Sequence, residues 1–165
     1  MRRMVLFAAL LAALAATAAP AHAAPACTKA AAEDAVTAAD PLVDDIRATG
    51  ALTPDQEVFD VFGVAKVICA DLTGDGDPEM TVLLDCCTAA SPTPLAVFRP
   101  RGDRWRLAYA STRLLLSGVK RKGRTLRLRH PVYRRTDRLC CPSSYKRYVV
   151  RYERGEFVRH SRAST

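Results

Sequence analysis

Four times along this chain, two short apolar runs are separated by a few residues that include glycine, a pattern that allows little besides antiparallel hairpins. Val64–Ala70 and Met80–Cys86 flank Asp71–Glu79, and Leu95–Arg99 and Arg104–Ala110 flank Pro100-Arg101-Gly102-Asp103. Arg113–Val119 and Arg124–His130 flank Lys120-Arg121-Lys122-Gly123, and Tyr145–Glu153 and Phe157–His160 flank Arg154-Gly155-Glu156. Ahead of them, Thr28–Thr49 is rich in alanine and favours helix. Its imperfect apolar stripe is Ala31, Ala35, Val36, Leu42, Val43 and Ile46, with a break at Asp40-Pro41 and a stop at Gly50. Asp55–Phe62 is ambiguous and fits a helical turn leading into a strand. The expected class is α+β: an antiparallel β-sheet built of successive hairpins, with an N-terminal helix packed on it.

Two of the runs alternate clearly enough to assign faces. Leu126 and Leu128 oppose Arg127 and Arg129, while Tyr148, Val150 and Tyr152 oppose Arg147, Val149 and Arg151. If these strands are neighbours, Arg127, Arg129, Arg147 and Arg151 share one solvated face.

Residues 1–23 have the three parts of a secretory signal: basic Arg2 and Arg3, the apolar run Val5–Ala16, and Ala21-His22-Ala23 with small residues at the cleavage positions. The apolar run is too short for a membrane anchor. Residues 24–165 then suffice for a single secreted domain. Attachment of lipid at Cys27 is an alternative fate, although Ala24 stands where such sites carry a large aliphatic residue.

Cys27, Cys69, Cys86, Cys87, Cys140 and Cys141 form an even set beyond the signal, which in an exported domain predicts three disulfides. Neighbouring residues on a strand point to opposite faces, so Cys86 and Cys87 are expected to reach two different partners and not each other. The expected pairing joins Cys86 and Cys87 to Cys140 and Cys141, and Cys27 to Cys69. Zinc is disfavoured because CC pairs lack the spacer of the common zinc knuckles.

Charge is strongly polarised. The formal net charge is +8, yet residues 24–98 hold 3 basic and 13 acidic residues, against 20 basic and 4 acidic in residues 99–165. Two readings stay open: the halves neutralise each other, or the basic half attracts an anionic envelope polymer, lipid headgroup or nucleic acid.

The acidic part concentrates in Asp71-Leu72-Thr73-Gly74-Asp75-Gly76-Asp77-Pro78-Glu79. An EF-hand would need Glu at position 12 of this loop, where Val82 stands. Counting from Asp71, oxygen-bearing side chains fall at 1, 3, 5 and 9, with the Asp77 carbonyl at 7. Four carboxylates this close repel unless a cation or solvent screens them. The loop resembles the short calcium loop of FG-GAP or VCBS-type repeats, which also joins two strands. That resemblance implies structural calcium held by Asp71, Asp75 and Glu79, with Thr73 at position 3 and the Asp77 backbone oxygen as a neutral ligand. Thr73 and Glu79 depart from the residues usual there, and a metal-free acidic turn is the competing reading. Over a longer span, Cys-Ala-Asp-Leu-Thr-Gly-Asp-Gly, then CC, then Cys-Cys-Pro-Ser-Ser before an aromatic-rich last hairpin resembles small actinobacterial envelope proteins of the LppP/LprE lipoprotein type. The resemblance implies an extracytoplasmic location and a fold rather than a reaction.

Groups suited to catalysis are few. Beyond the signal only His130 and His160 remain, with no Gly-x-Ser-x-Gly elbow and no paired-histidine metal motif. Arg101-Gly102-Asp103 reads as ordinary turn chemistry, and Trp105 as core or rim packing. The functional expectation is a non-enzymatic envelope domain with a binding or scaffolding role and a structural calcium loop. The alternative is a polyanion-binding module using Arg127, Arg129, Arg147 and Arg151, with Tyr145 and Tyr148 nearby.

Overall fold

The computed structural model describes residues 24–86, 92–138 and 140–162. Residues 1–23, which the sequence reads as a secretory signal, and Cys87 lie outside them. Three short helices lead the chain: α1 Lys29–Thr37, α2 Asp40–Arg47 and α3 Val58–Val61. Eight strands follow: β1 Gly63–Ala70, β2 Glu79–Asp85, β3 Leu95–Arg101, β4 Arg104–Ser111, β5 Gly118–Lys122, β6 Thr125–Val132, β7 Ser144–Glu153 and β8 Glu156–Arg162. No helix among the described residues is long and apolar enough to cross a membrane.

Local chemistry explains the helix boundaries. Thr28 caps α1, its Oγ1 accepting from the Ala31 amide at 3.1 Å. Pro41 sits in the first turn of α2, where its missing N–H leaves no helical bond unmade. Glu57 and Asp60 form a reciprocal capping box around α3, the helical turn expected ahead of β1.

The class is α+β, but the hairpins divide into two four-stranded antiparallel sheets, ordered β1-β2-β3-β4 and β5-β6-β7-β8, instead of one. The division falls where the sequence suggests a strand beginning at Arg113. Residues 112–117 form the crossover instead. Its carbonyls are satisfied outside any ladder: Leu114 accepts from the Thr93 amide at 3.0 Å, and Leu115 O lies 2.6 Å from His130 Nδ1. Leu116 is buried at the crossing.

Three layers result. Ala32, Val36, Leu42, Ile46, Val58 and Phe62 pack on one face of the first sheet, against Met80, Val82, Leu84 and Phe98. The other face of that sheet presents Leu83, Leu95 and Val97 to Leu126, Leu128, Val150 and Phe157 of the second. Strand β2 is therefore buried on both faces from Glu79 to Leu84, which is why its run lacks alternation.

Cys27 and Cys69 are bridged as expected, with Cα atoms 6.1 Å apart and 42 positions between them in sequence. Closing so long a loop stabilises by about 4 kcal/mol in the chain-entropy account. The Trp105 indole N–H donates to Ala26 O at 3.3 Å, holding the same N-terminal segment on the rim of the core. The second expectation is overturned for Cys140 and Cys141, which are bonded to each other. The expectation assumed strand geometry, whereas both residues precede β7 in a turn, where side chains do not alternate between faces. That turn is gathered by the Asp137 carboxylate, which accepts from the amides of Arg134 at 2.7 Å and Ser143 at 2.9 Å and from the Ser143 hydroxyl.

Candidate functional site

Two charged regions stand out, and they are built differently. The first is the loop between β1 and β2, which carries Asp71, Thr73, Asp75, Asp77 and Glu79. Two of its carboxylates turn back on the loop: Asp71 Oδ1 accepts from the Gly74 amide at 2.5 Å, and Asp75 Oδ1 from the Asp77 amide at 3.1 Å. Gly74 and Gly76 take φ of 89° and 96°, which a side chain would resist.

Glu79 is wholly buried. Its Oε2 accepts from the amides of Leu72 at 2.6 Å and Thr73 at 3.2 Å, and its Oε1 accepts from the Thr73 hydroxyl at 3.1 Å. The charge balancing it comes from Arg99, whose Nε lies 3.4 Å from Glu79 Oε1. The same guanidinium donates from Nη2 to Asp75 Oδ2 at 2.5 Å and from Nη1 to the Tyr152 hydroxyl at 3.1 Å, with its carbon 5.2 Å from the Tyr152 ring centre. Partial burial raises the Asp75 carboxyl pKa, but bonds from the Asp77 amide, Thr73 and Arg99 outweigh it and hold the group below its ordinary value. A second guanidinium, that of Arg124, rests on Gly74, where an added Cβ would come within 2.3 Å of its Nη1.

As arranged, this donor set does not fit a resident calcium ion. Calcium takes six to eight oxygens, whereas both Glu79 oxygens are already engaged and Asp75 Oδ2 faces a guanidinium. An ion could recruit both carboxylates only after Arg99 withdrew.

The second region is the outer face of the second sheet. Antiparallel pairing sets Arg129 directly opposite Arg147, Lys120 opposite Arg127, and Arg151 opposite Thr125. Arg127, Arg129, Arg147 and Arg151 therefore share one exposed face. Around β5, β6 and β7 lies a cavity of about 580 Å³, closed on one side by residues of the β1 bulge. Lys66, Lys120, Arg127, Arg129 and Arg147 line it together with Leu83, Val119, Leu128 and Tyr148 of the inter-sheet core, and no lining residue is acidic. Lys66 Nζ is steered there by a 3.1 Å bond to Val119 O. Arg129 is held over the Tyr145 ring, its guanidinium carbon 3.5 Å from the centre. None of these five cations has a carboxylate partner among the described residues. Arg151 differs, being paired with Glu153, which also meets His160 Nε2 at 3.2 Å. Tyr148 alternates to the inter-sheet side, packing against that core with Arg159 over its ring, and from there it also lines the cavity.

Sequence reasoning missed Arg99, Arg124, Lys66 and Lys120. Alternation along Leu95, Val97 and Arg99 assigns Arg99 a face, but its place beside Glu79 needs the β2–β3 register, one step past the Met80–Phe98 pair. Lys120 was legible as a turn residue only. Lys66 reaches the cavity across sheets, and no local pattern carries that. The Arg101-Gly102-Asp103 segment is the tip of the β3–β4 hairpin, with Gly102 at φ 64°.

No family model, curated protein or solved structure matches this chain.

Proposed function

We propose that the chain is an extracytoplasmic, non-enzymatic binding domain whose basic sheet face receives an anionic polymer carrying repeated phosphate or carboxylate groups. One observation carries the reading: a cavity of about 580 Å³ lined by Lys66, Lys120, Arg127, Arg129 and Arg147, without an acidic lining residue. Like charges set directly opposite each other across strands destabilise a sheet. Arg129 facing Arg147 is such a pair, and a bound anion would turn its repulsion into attraction. Guanidinium forks match phosphate and carboxylate bidentately, and stacking on Tyr145 orients one of them before any ligand arrives. The extracytoplasmic placement rests on the signal-like first 23 residues, on the Cys27–Cys69 bridge, which suits an oxidising compartment, and on the resemblance to envelope lipoproteins.

Titration with polyphosphate and with a polyuronate, each at several salt concentrations, tests the reading. Five phosphate contacts, one for each lining cation, predict log K falling against log salt with a slope of about 3.5. The R127A/R147A variant should lower that slope by roughly two-fifths, while Arg151→Ala, which removes a cation already paired with Glu153, should change it far less. Absence of binding at low ionic strength, or equal effects from the two variants, would refute the proposal. Binding to nucleic acid alone would reassign the ligand.

A further inference from the structure

We propose that Arg99 stands in for the divalent cation of the loops this one resembles, so that the Asp71–Glu79 turn is ordered by internal arginine charge and does not depend on calcium. The inference is independent of the polyanion reading, since neither Arg99 nor the loop lines that cavity.

The need for a cation is set by the chain itself. Asp71, Asp75, Asp77 and Glu79 crowd one turn, and Glu79 is wholly buried. A buried carboxylate without a counter-charge is strongly destabilising. In a calcium loop the ion answers that need by binding several carboxylates at once. Here a single guanidinium does the equivalent, with Nη2 on Asp75 Oδ2 at 2.5 Å and Nε against Glu79 Oε1 at 3.4 Å. The five donors of a guanidinium, spread over a planar fork, let one side chain span two carboxylates and keep a third bond, to the Tyr152 hydroxyl.

The surroundings are built around this placement. Arg99 side-chain exposure is only 25%, and Tyr152, from the second sheet, both bonds and stacks on it. Loss of water around Arg99 lowers its pKa, but the bond to Asp75 and the charges of Tyr152, Asp75 and Glu79 outweigh this and raise it, so the cation is permanent. Arg124 lies over Gly74, and Gly74 is the residue type that leaves room for it. Two cations from distant parts of the chain therefore lie against this loop, and Arg99 occupies oxygens of Asp75 and Glu79 that calcium would need.

Thermal melting of the full chain, in excess chelator and in millimolar calcium, tests the proposal on the wild type and on Arg99→Gln. A resident calcium at a hundred times its dissociation constant would raise Tm by roughly 8 °C. The wild type is expected to melt at the same temperature in both solutions. Arg99→Gln should melt several degrees lower in chelator and recover part of the loss in calcium, because the vacated carboxylates then accept the ion. Two results would overturn the proposal: a wild-type Tm that drops by several degrees in chelator, or an Arg99→Gln variant that melts like the wild type in both solutions. Should Arg99→Gln fail to fold, calorimetric titration of the chelator-treated wild type decides the matter. No heat of calcium binding up to about 1 mM supports the proposal, and a saturating isotherm below that overturns it.

Discussion

The acidic loop and the basic sheet face are both clusters of like charge, yet only one is neutralised from within. In the loop, Asp75 and Glu79 meet Arg99, Arg124 lies over Gly74, and backbone amides bond to Asp71 Oδ1, Asp75 Oδ1 and Glu79 Oε2. On the sheet face, Arg127, Arg129, Arg147 and Lys120 line an open cavity and have no carboxylate partner among the described residues. The difference teaches where to look for binding. Charge that is paired and buried stabilises the fold, whereas like charges left facing each other across strands lower stability and keep their capacity to bind an outside anion.

Glu79→Ala should break the comparison most severely, since it strips the loop of its buried carboxylate and leaves two amides and the Thr73 hydroxyl without their acceptor and Arg99 Nε without its carboxylate. A loss of about 3 kcal/mol in urea unfolding is expected; a change below about 1 kcal/mol would mean the loop is not held as described. On the other face the expectation reverses. The R127A/R147A variant should alter unfolding free energy by less than about 0.5 kcal/mol per site, and relief of repulsion could leave it slightly stabilised. A loss near that of Glu79→Ala would place these arginines among the structural groups instead. The smallest effect concerns acid. The Asp75 carboxyl is held below its ordinary value of 3.8, so its contribution is full above that value and is lost as pH falls through the lower folded value. Between about pH 5 and pH 2 the melting temperature of Asp75→Asn should therefore fall less steeply than that of the wild type. Parallel curves would show that Asp75 gains nothing from Arg99.

Much of this architecture was legible because its signals are local. Glycine-bearing turns placed all four hairpins, Thr28 and Pro41 marked helix starts, and alternation in Thr125–Val132 and Ser144–Glu153 put Arg127, Arg129, Arg147 and Arg151 on one face. The division into two sheets was not legible. It depends on the crossover at residues 112–117, whose polar groups are satisfied by Thr93, Arg129 and His130 from separate segments. Burial of Glu79 was equally hidden, because a carboxylate beside a polar loop reads as exposed until a second sheet covers it.

By itself the sequence determined which segments pair as hairpins, which strand faces are apolar, and that an acidic half precedes a basic one, for these follow from backbone preference and short-range periodicity. Only the tertiary structure decided which charges cancel and which remain. Arg99 lies 24 positions from Asp75, and Tyr152 a further 53 from Arg99. Their meeting is fixed by strand register and sheet stacking, and Coulomb energy depends on distance in space, which spacing along the chain does not set.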